Sequence, residues 1–358
     1  MKRWIGPVFL VILIIGVIGG IYLSAREQLA VRRVITARGL IGSEKEEFFK
    51  DERVVAALRK GGIEVQFEKA GSRQIATSFN LDEYDFTFPA GVPAAEKIRL
   101  ERGISQSYSA FFTPMVIASW KPIASILEAN GIAQNQGDFY TLDIERFLEL
   151  VADGKRWKDL AENDAYPVNK SILIDSTDVR KSNSAAMYLA LASYVANGAN
   201  IVQSETEIAR VMPLMESLFL KQGYVEYSSE APFEDYLAMG MGKSPLVMIY
   251  ESQFLAQAAN NGVSEDMVLM YPEPTIFSKH TLVPLTPGGE RLGELLSTDP
   301  ELQKLAIEYG FRNNDTAYFK QFVRDHNLSI PENLVNVIEP PSYEVLERMI
   351  QAIEKKYE

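Results

Sequence analysis

The chain has 358 residues, 47% of them hydrophobic and 23% charged, with 36 Lys and Arg against 48 Asp and Glu for a net charge of −12. This composition excludes a disordered or fibrous chain, and the acidic balance argues against a general nucleic-acid binder, which needs a basic surface. The absence of cysteine excludes disulfides, thiol nucleophiles, thiolate metal sites and a lipid-modified cysteine anchor, and the two histidines, His280 and His326, are too few for a His-rich metal site.

Met1-Lys2-Arg3 precedes an uncharged run over residues 4–23, the ~20 residues that a membrane-spanning helix needs. A cleaved secretory signal has a shorter apolar region and a small-x-small site, to which Leu23-Ser24-Ala25 is a poor match. Residues 1–25 therefore read as a transmembrane signal-anchor, with 26–33 a polar connector; secretion after signal cleavage is the alternative. Lys2 and Arg3 favour a cytoplasmic N-terminus, although Arg26, Arg32 and Arg33 weaken the asymmetry. The expected location is the cell membrane, single-pass, with the globular part extracytoplasmic.

Residues 34–37 predict a short strand that ends in a glycine-bearing turn through Gly42. A helix follows, with Ser43 and Glu46 at capping-box spacing. Phe48, Val55 and Leu58 share one face, and Lys60 with Gly61-Gly62 closes it. Ile63, Val65 and Phe67 alternate with Glu64, Gln66 and Glu68, a strand period. Residues 34–68 thus read as a βαβ unit with parallel strands. Gly71-Ser72-Arg73 opens a second short helix. Residues 85–88 predict a strand ended by Pro89-Ala90-Gly91, and 111–119 an apolar strand. Helices are predicted over 121–130, 142–153, 184–196, 299–310, 316–325 and 343–357. Further strands are predicted over 171–174, 246–250, 268–271 and 281–285. Strands and helices alternate, so the class is α/β.

Serine marks three helix starts: Ser43, Ser72 and Ser182 to Ser184. Helix N-termini carry unpaired N–H groups and partial positive charge. Three that converge would form a pocket for an oxyanion, and Arg73 or Arg180 would add a bidentate contact. The other reading is that each serine is only an N-cap, worth about 1 kcal/mol. Glu44, Glu46 and Glu47 complement a helix dipole or, with Glu251 and Glu273, favour a cationic or polyhydroxyl ligand. Tyr250, Tyr271 and Trp120 are either core aromatics or stacking surfaces. His280 reads as an ordinary strand residue near the lobe crossing. No nucleophile–base pair and no Walker-type phosphate loop is present in the sequence; the expectation is a non-enzyme with no catalytic residue, cofactor or metal.

The order of these motifs resembles that of bacterial extracellular solute-binding proteins of the type II periplasmic-binding-protein fold. Arg156-Trp157-Lys158-Asp159-Leu160 is similar to that family's Trp-x-Asp-Leu segment, which precedes a strand and a serine-rich helix start, here Ser182-Asn183-Ser184. The early βαβ with Gly42-Ser43, then Gly71-Ser72-Arg73, then 85–91, resembles the phosphate- and molybdate-type members. Residues 246–251 resemble the strand and loop near the return crossing. The resemblance covers roughly residues 34–320. It implies a two-lobed α/β protein with a discontinuous first lobe (34–115 and 275–358) and a second lobe over 116–274. It implies a ligand-binding set of Gly42, Ser43, Ser72, Arg73, Ala90, Gly91, Ser182, Asn183, Ser184, Tyr250 and Glu251. The function implied is capture of a small ligand, an oxyanion or small polar organic molecule, in an interlobe cleft. The partner would be a membrane permease, as in ABC transport, or another membrane protein. The alternative is a protein-interaction module that keeps the fold, towards which the missing lipid-anchor cysteine leans.

Overall fold

The computed structural model describes residues 34–137, 139–222, 230–331 and 333–357. The expected anchor and connector lie outside these residues, and no helix among the described residues is long and apolar enough to cross a membrane.

β1 (Ile35–Ile41) runs into a single 3-10 turn (Ser43–Lys45), then α1 (Glu46–Lys50) and α2 (Glu52–Lys60). The single helix predicted from Ser43 is therefore broken. Gly42, not Ser43, caps the turn and does so without a side chain. Asp51 restarts the chain, because its carboxylate accepts from the Arg53 backbone N–H and caps α2. A side-chain cap inside an apolar-periodic run outcompetes helix continuation. β2 (Ile63–Lys69) then pairs parallel to β1, with Ile35 opposite Ile63. The βαβ expectation describes this arrangement correctly.

α3 (Ser72–Thr77), β3 (Phe86–Phe88) and α4 (Val92–Glu101) complete the first unit, with β3 parallel to the other side of β1. β4 (Tyr108–Trp120) leads out of it. The second unit contains α5 (Lys121–Ala129), β5 (Ala133–Asn135), β6 (Tyr140–Asp143), α6 (Ile144–Ala152), α7 (Asn183–Ala196) and α8 (Glu205–Leu220). It continues with α9 (Ala231–Met239), β7 (Leu246–Tyr250), α10 (Glu251–Ala259) and β8 (Met267–Glu273). β9 (Thr275–Pro284) returns to the first unit. There follow α11 (Pro287–Thr298), α12 (Pro300–Glu308), α13 (Thr316–Asp325), β10 (Val337–Ile338) and α14 (Tyr343–Glu354). The predicted strand at 171–174 is not formed. Ser171 and Asp175 make only isolated bridges, to Arg156 and Val247.

β4 and β9 pair antiparallel, with Tyr108 opposite Leu282 and Pro114 opposite Phe277. Each then joins a different sheet: β9 pairs with β3, and β4 with β7 and β8. They are the two strands that pass between the lobes. Both sheets are covered on both faces. In the first lobe Phe48, Phe86, Phe111 and Leu302 pack on one side, and Leu40, Ile75, Ile98 and Val283 on the other. In the second, Leu127, Phe147 and Met187 lie on one side, and Val116, Tyr236 and Ile249 on the other. Burial on both faces is why β7 is apolar throughout rather than alternating.

The last helix binds the two lobes together. Val345, Leu346, Met349 and Ile350 of α14 share a core with Met187 of α7 and Met215 of α8. From the first lobe, Arg73 of α3 donates to Glu347 at 2.6 and 2.8 Å and to Glu354 at 3.2 Å.

Candidate functional site

At the seam between the lobes the loops after β2 and β3 meet the start of α7, Gly71 against Lys181 and Gly91 against Asn183, and the turn after β1 reaches β9 through Lys45 and His280. Ser72 is buried at the first position of α3, and its hydroxyl accepts from the Ala90 N–H at 3.0 Å. Asn183, first residue of α7, donates from Nδ2 to the Tyr250 hydroxyl at 3.1 Å and to Ser278 Oγ at 3.2 Å. Ser278 donates in turn to the Ala90 carbonyl. A chain of hydrogen bonds therefore runs from the first lobe (Ser72, Ala90) through β9 (Ser278) to the second lobe (Asn183, Tyr250). Behind Asn183, the hydroxyls of Thr177, Ser184 and Ser182 form a buried relay, with separations of 3.0 and 2.9 Å. Gly71 and Gly91 allow the close approach. A Cβ at Gly71 would lie 2.0 Å from the Lys181 carbonyl oxygen, and one at Gly91 2.3 Å from Asn183 Oδ1.

A charged cluster sits beside this network. Lys45 is fully buried. It donates to the Glu44 carboxylate and approaches His280 Nδ1 at 3.1 Å, with its ammonium 4.9 Å from the centre of the Phe88 ring. Burial would raise the Glu44 carboxyl, but the Lys45 charge and the His280 contact outweigh it and hold it well below the usual range. Burial pushes Lys45 down against the pull of Glu44. Burial, and then the Lys45 charge, lowers His280 to about 4. The same Nδ1 lies 3.4 Å from the Glu44 carboxylate, so Lys45 and Glu44 converge on one ring nitrogen. The other ring nitrogen, Nε2, is buried and has no hydrogen-bond partner among the described residues. At the edge of the cluster, burial and the nearby Glu44 charge push the Glu230 carboxyl up to about 7.

The structure brings together Ser72, Ala90, Gly91, Ser182, Asn183, Ser184 and Tyr250. Gly42 and Ser43 form the turn that delivers Glu44 and Lys45. Two expected ligand groups are engaged elsewhere. Arg73 is held by α14, as described above. Glu251 is fully buried, accepting from Arg312 at 2.6 and 2.8 Å and from the Tyr271 hydroxyl at 2.6 Å. Arg180 is likewise bound to Asp178. Sequence reasoning missed Lys45 and Ser278 and took His280 as an ordinary strand residue near the lobe crossing. One signal was available: at period two, Ile276, Ser278, His280 and Leu282 share a face of β9, and all four are buried. Two polar residues on an otherwise apolar face mark a site. Among the described residues, no group of three or more His, Asp or Glu side chains is placed to hold a metal ion.

Solved structures match this architecture over nearly its whole length. Iron-bound HitA from Pseudomonas aeruginosa aligns with a TM-score of 0.55 and 11% identity, covering 90% of this chain and 99% of its own. The fold is that of a two-lobed periplasmic binding protein. Apo ferric ion-binding protein A from Pasteurella haemolytica gives 0.55 at 12% identity, over 89% and 96% of the two chains. The periplasmic binding protein AfuA from Actinobacillus pleuropneumoniae, with fructose-6-phosphate bound, gives 0.55 at 10% identity, over 88% and 97%. No family model and no curated protein sequence matches the chain. Identity at this level carries the fold and leaves the ligand to be argued from the residues.

Proposed function

We propose that this chain is a membrane-anchored solute-binding protein that holds a small polar ligand between its lobes and presents it to a membrane permease or sensor. The observation that carries the reading is the interlobe hydrogen-bond chain. Groups from both lobes and from a crossing strand converge on one seam, where hinge closure can trap a ligand. When the lobes part, the Asn183, Ser72 and Tyr250 groups that now bond within the seam suit a ligand rich in hydrogen-bonding oxygens, an oxyanion or a polyhydroxyl compound. The motif order favours a phosphate- or molybdate-like member. The uncharged run over residues 4–23 would tether the domain on the extracytoplasmic side. We place the lobe boundaries where β4 and β9 cross, near 115 and 275.

One observation favours the second reading, an interaction module. The lobes touch directly, and the cavity between Ser72, Asn183 and Leu346 measures only about 30 Å³, room for a water or two. A thermal-shift screen of the full chain against oxyanions, sugars, amino acids and polyamines separates the two. A native-state ligand at 100 times its Kd stabilises by about 2.7 kcal/mol. A shift abolished by Asn183→Ala supports the cleft; silence from every class at millimolar concentration supports the interaction module. Fractionation tests the tether: the solute-binding reading expects the chain in washed membranes, and free protein in the medium refutes the anchor.

A further inference from the structure

A second cavity, of about 300 Å³, opens on the second lobe and is lined among others by Lys170, Asp175, Ser176, Lys221, Asp235 and Lys243. It lies at the start of β7, beside Ser244 and Pro245. Tyr250 and the interlobe seam lie at the other end of that strand, five residues or about 16 Å away at ~3.3 Å per residue. The floor is rigid. The Asp175 N–H donates to the Leu246 carbonyl and the Met248 N–H to the Asp175 carbonyl, both at 2.8 Å, which fixes the Asp175 backbone beside β7. The Ser176 N–H is held by Gln222 Oε1 at 2.9 Å.

The charges around this cavity are unpaired. Lys170 donates to the Gly242 carbonyl at 3.1 Å. Among the described residues, Asp175, Asp235, Lys221 and Lys243 form no ion pair within 4.0 Å and no side-chain hydrogen bond, although both signs line one space. Burial pushes the Asp175 carboxyl up to about 6 even against the pull of Lys243 and Lys170, so it lacks a close cationic partner. The Ser176 hydroxyl is buried with no hydrogen-bond partner among the described residues. A simple anion entering here meets two carboxylates, and a simple cation meets three ammonium groups. A molecule that carries both charges at short separation meets neither obstacle. Leu173 and Pro232 supply apolar wall.

We propose that this cavity binds a small zwitterion of the α-amino-acid class, its ammonium group towards Asp175 and Asp235 and its carboxylate towards Lys221 and Lys243. The site is independent of the interlobe seam. Calorimetric titration of the full chain in detergent with L-alanine and L-leucine tests it, alongside their N-acetyl and C-amide counterparts, which each lack one charge. The expected result is that at least one free amino acid binds, and that either cap weakens it tenfold or more. Asp175→Asn should do the same, and Lys243→Met, an exposed change that cannot unfold the lobe, should weaken the free acid but not its amide. No binding by either free amino acid overturns the proposal. So does binding indifferent to both caps, or binding that survives both substitutions, which would place the ligand elsewhere.

Discussion

The buried triad of Glu44, Lys45 and His280 makes its own stability predictions. Removing one member of a buried ion pair leaves the other charge uncompensated, at a cost of about 3–5 kcal/mol, whereas replacing both with apolar groups of similar size is close to neutral. Glu44→Gln and Lys45→Met should each lower the urea-unfolding free energy by that order, and the double variant should recover most of it; additive losses would show that the two side chains are not coupled. His280 adds a pH term. Its folded value of about 4 lies below the ordinary 6.5, so the unfolded chain takes up the proton first and stability falls as pH drops from about 6.5 to about 4. Full burial sets the size at about 3 kcal/mol. Glu230 acts in the opposite sense: its folded value, about 7, lies above the ordinary 4.5, so its contribution falls as pH rises between them. The two overlap in the wild type, and His280→Asn isolates one. Its stability should lose the acid-side fall between pH 6.5 and 4.5, and an unchanged pH slope would mean that His280 is already charged or solvated.

At the scale of elements, the sequence was legible where local chemistry acts alone. The period-two residues of β2, the helix predicted within 142–153 (α6) and the apolar run of β7 all form as their patterns imply. The break after α1 was not legible, because a capping box at Ser43 and an Asp51 cap are equally good local signals, and in the structure the Asp51 cap prevails while Phe48 and Phe49 pack into the first core. The site was half legible for a similar reason. Serines at helix starts announce themselves, but a lysine that turns inward onto a histidine two hundred residues away has no local signature. Nor did sequence indicate that α14 takes Arg73 away from the seam. That helix carries a prediction. Met349 is fully buried, and Met349→Ala should cost about 2–5 kcal/mol although it lies close to the end of the described chain. A calorimetric scan in which it melts like the wild type would show that α14 adds nothing to the joined lobes.

For the whole molecule, closure depends on Gly71. Its backbone (φ −66°, ψ 151°) suits any residue, so an alanine there does not strain the first lobe. The added carbon instead meets the Lys181 carbonyl of the second lobe at 2.0 Å. Gly71→Ala should wedge the lobes apart while each keeps its core. Small-angle scattering should then show a larger radius of gyration than the wild type with little loss of helix signal, and an unchanged radius would mean that the seam yields without opening. The acidic net charge repels anions at long range, so oxyanion capture would depend on the short-range hydrogen bonds at the seam.

The route of the chain through the two crossing strands also sets an order of events. β3 is completed by β9, where Phe86 pairs with Pro284, almost two hundred residues further on. The first half of the molecule therefore emerges from synthesis with an open sheet edge and must wait for the last third before it can close. Non-local pairing of this kind slows folding, and until β9 arrives the β3 edge stays open to pairing with another chain.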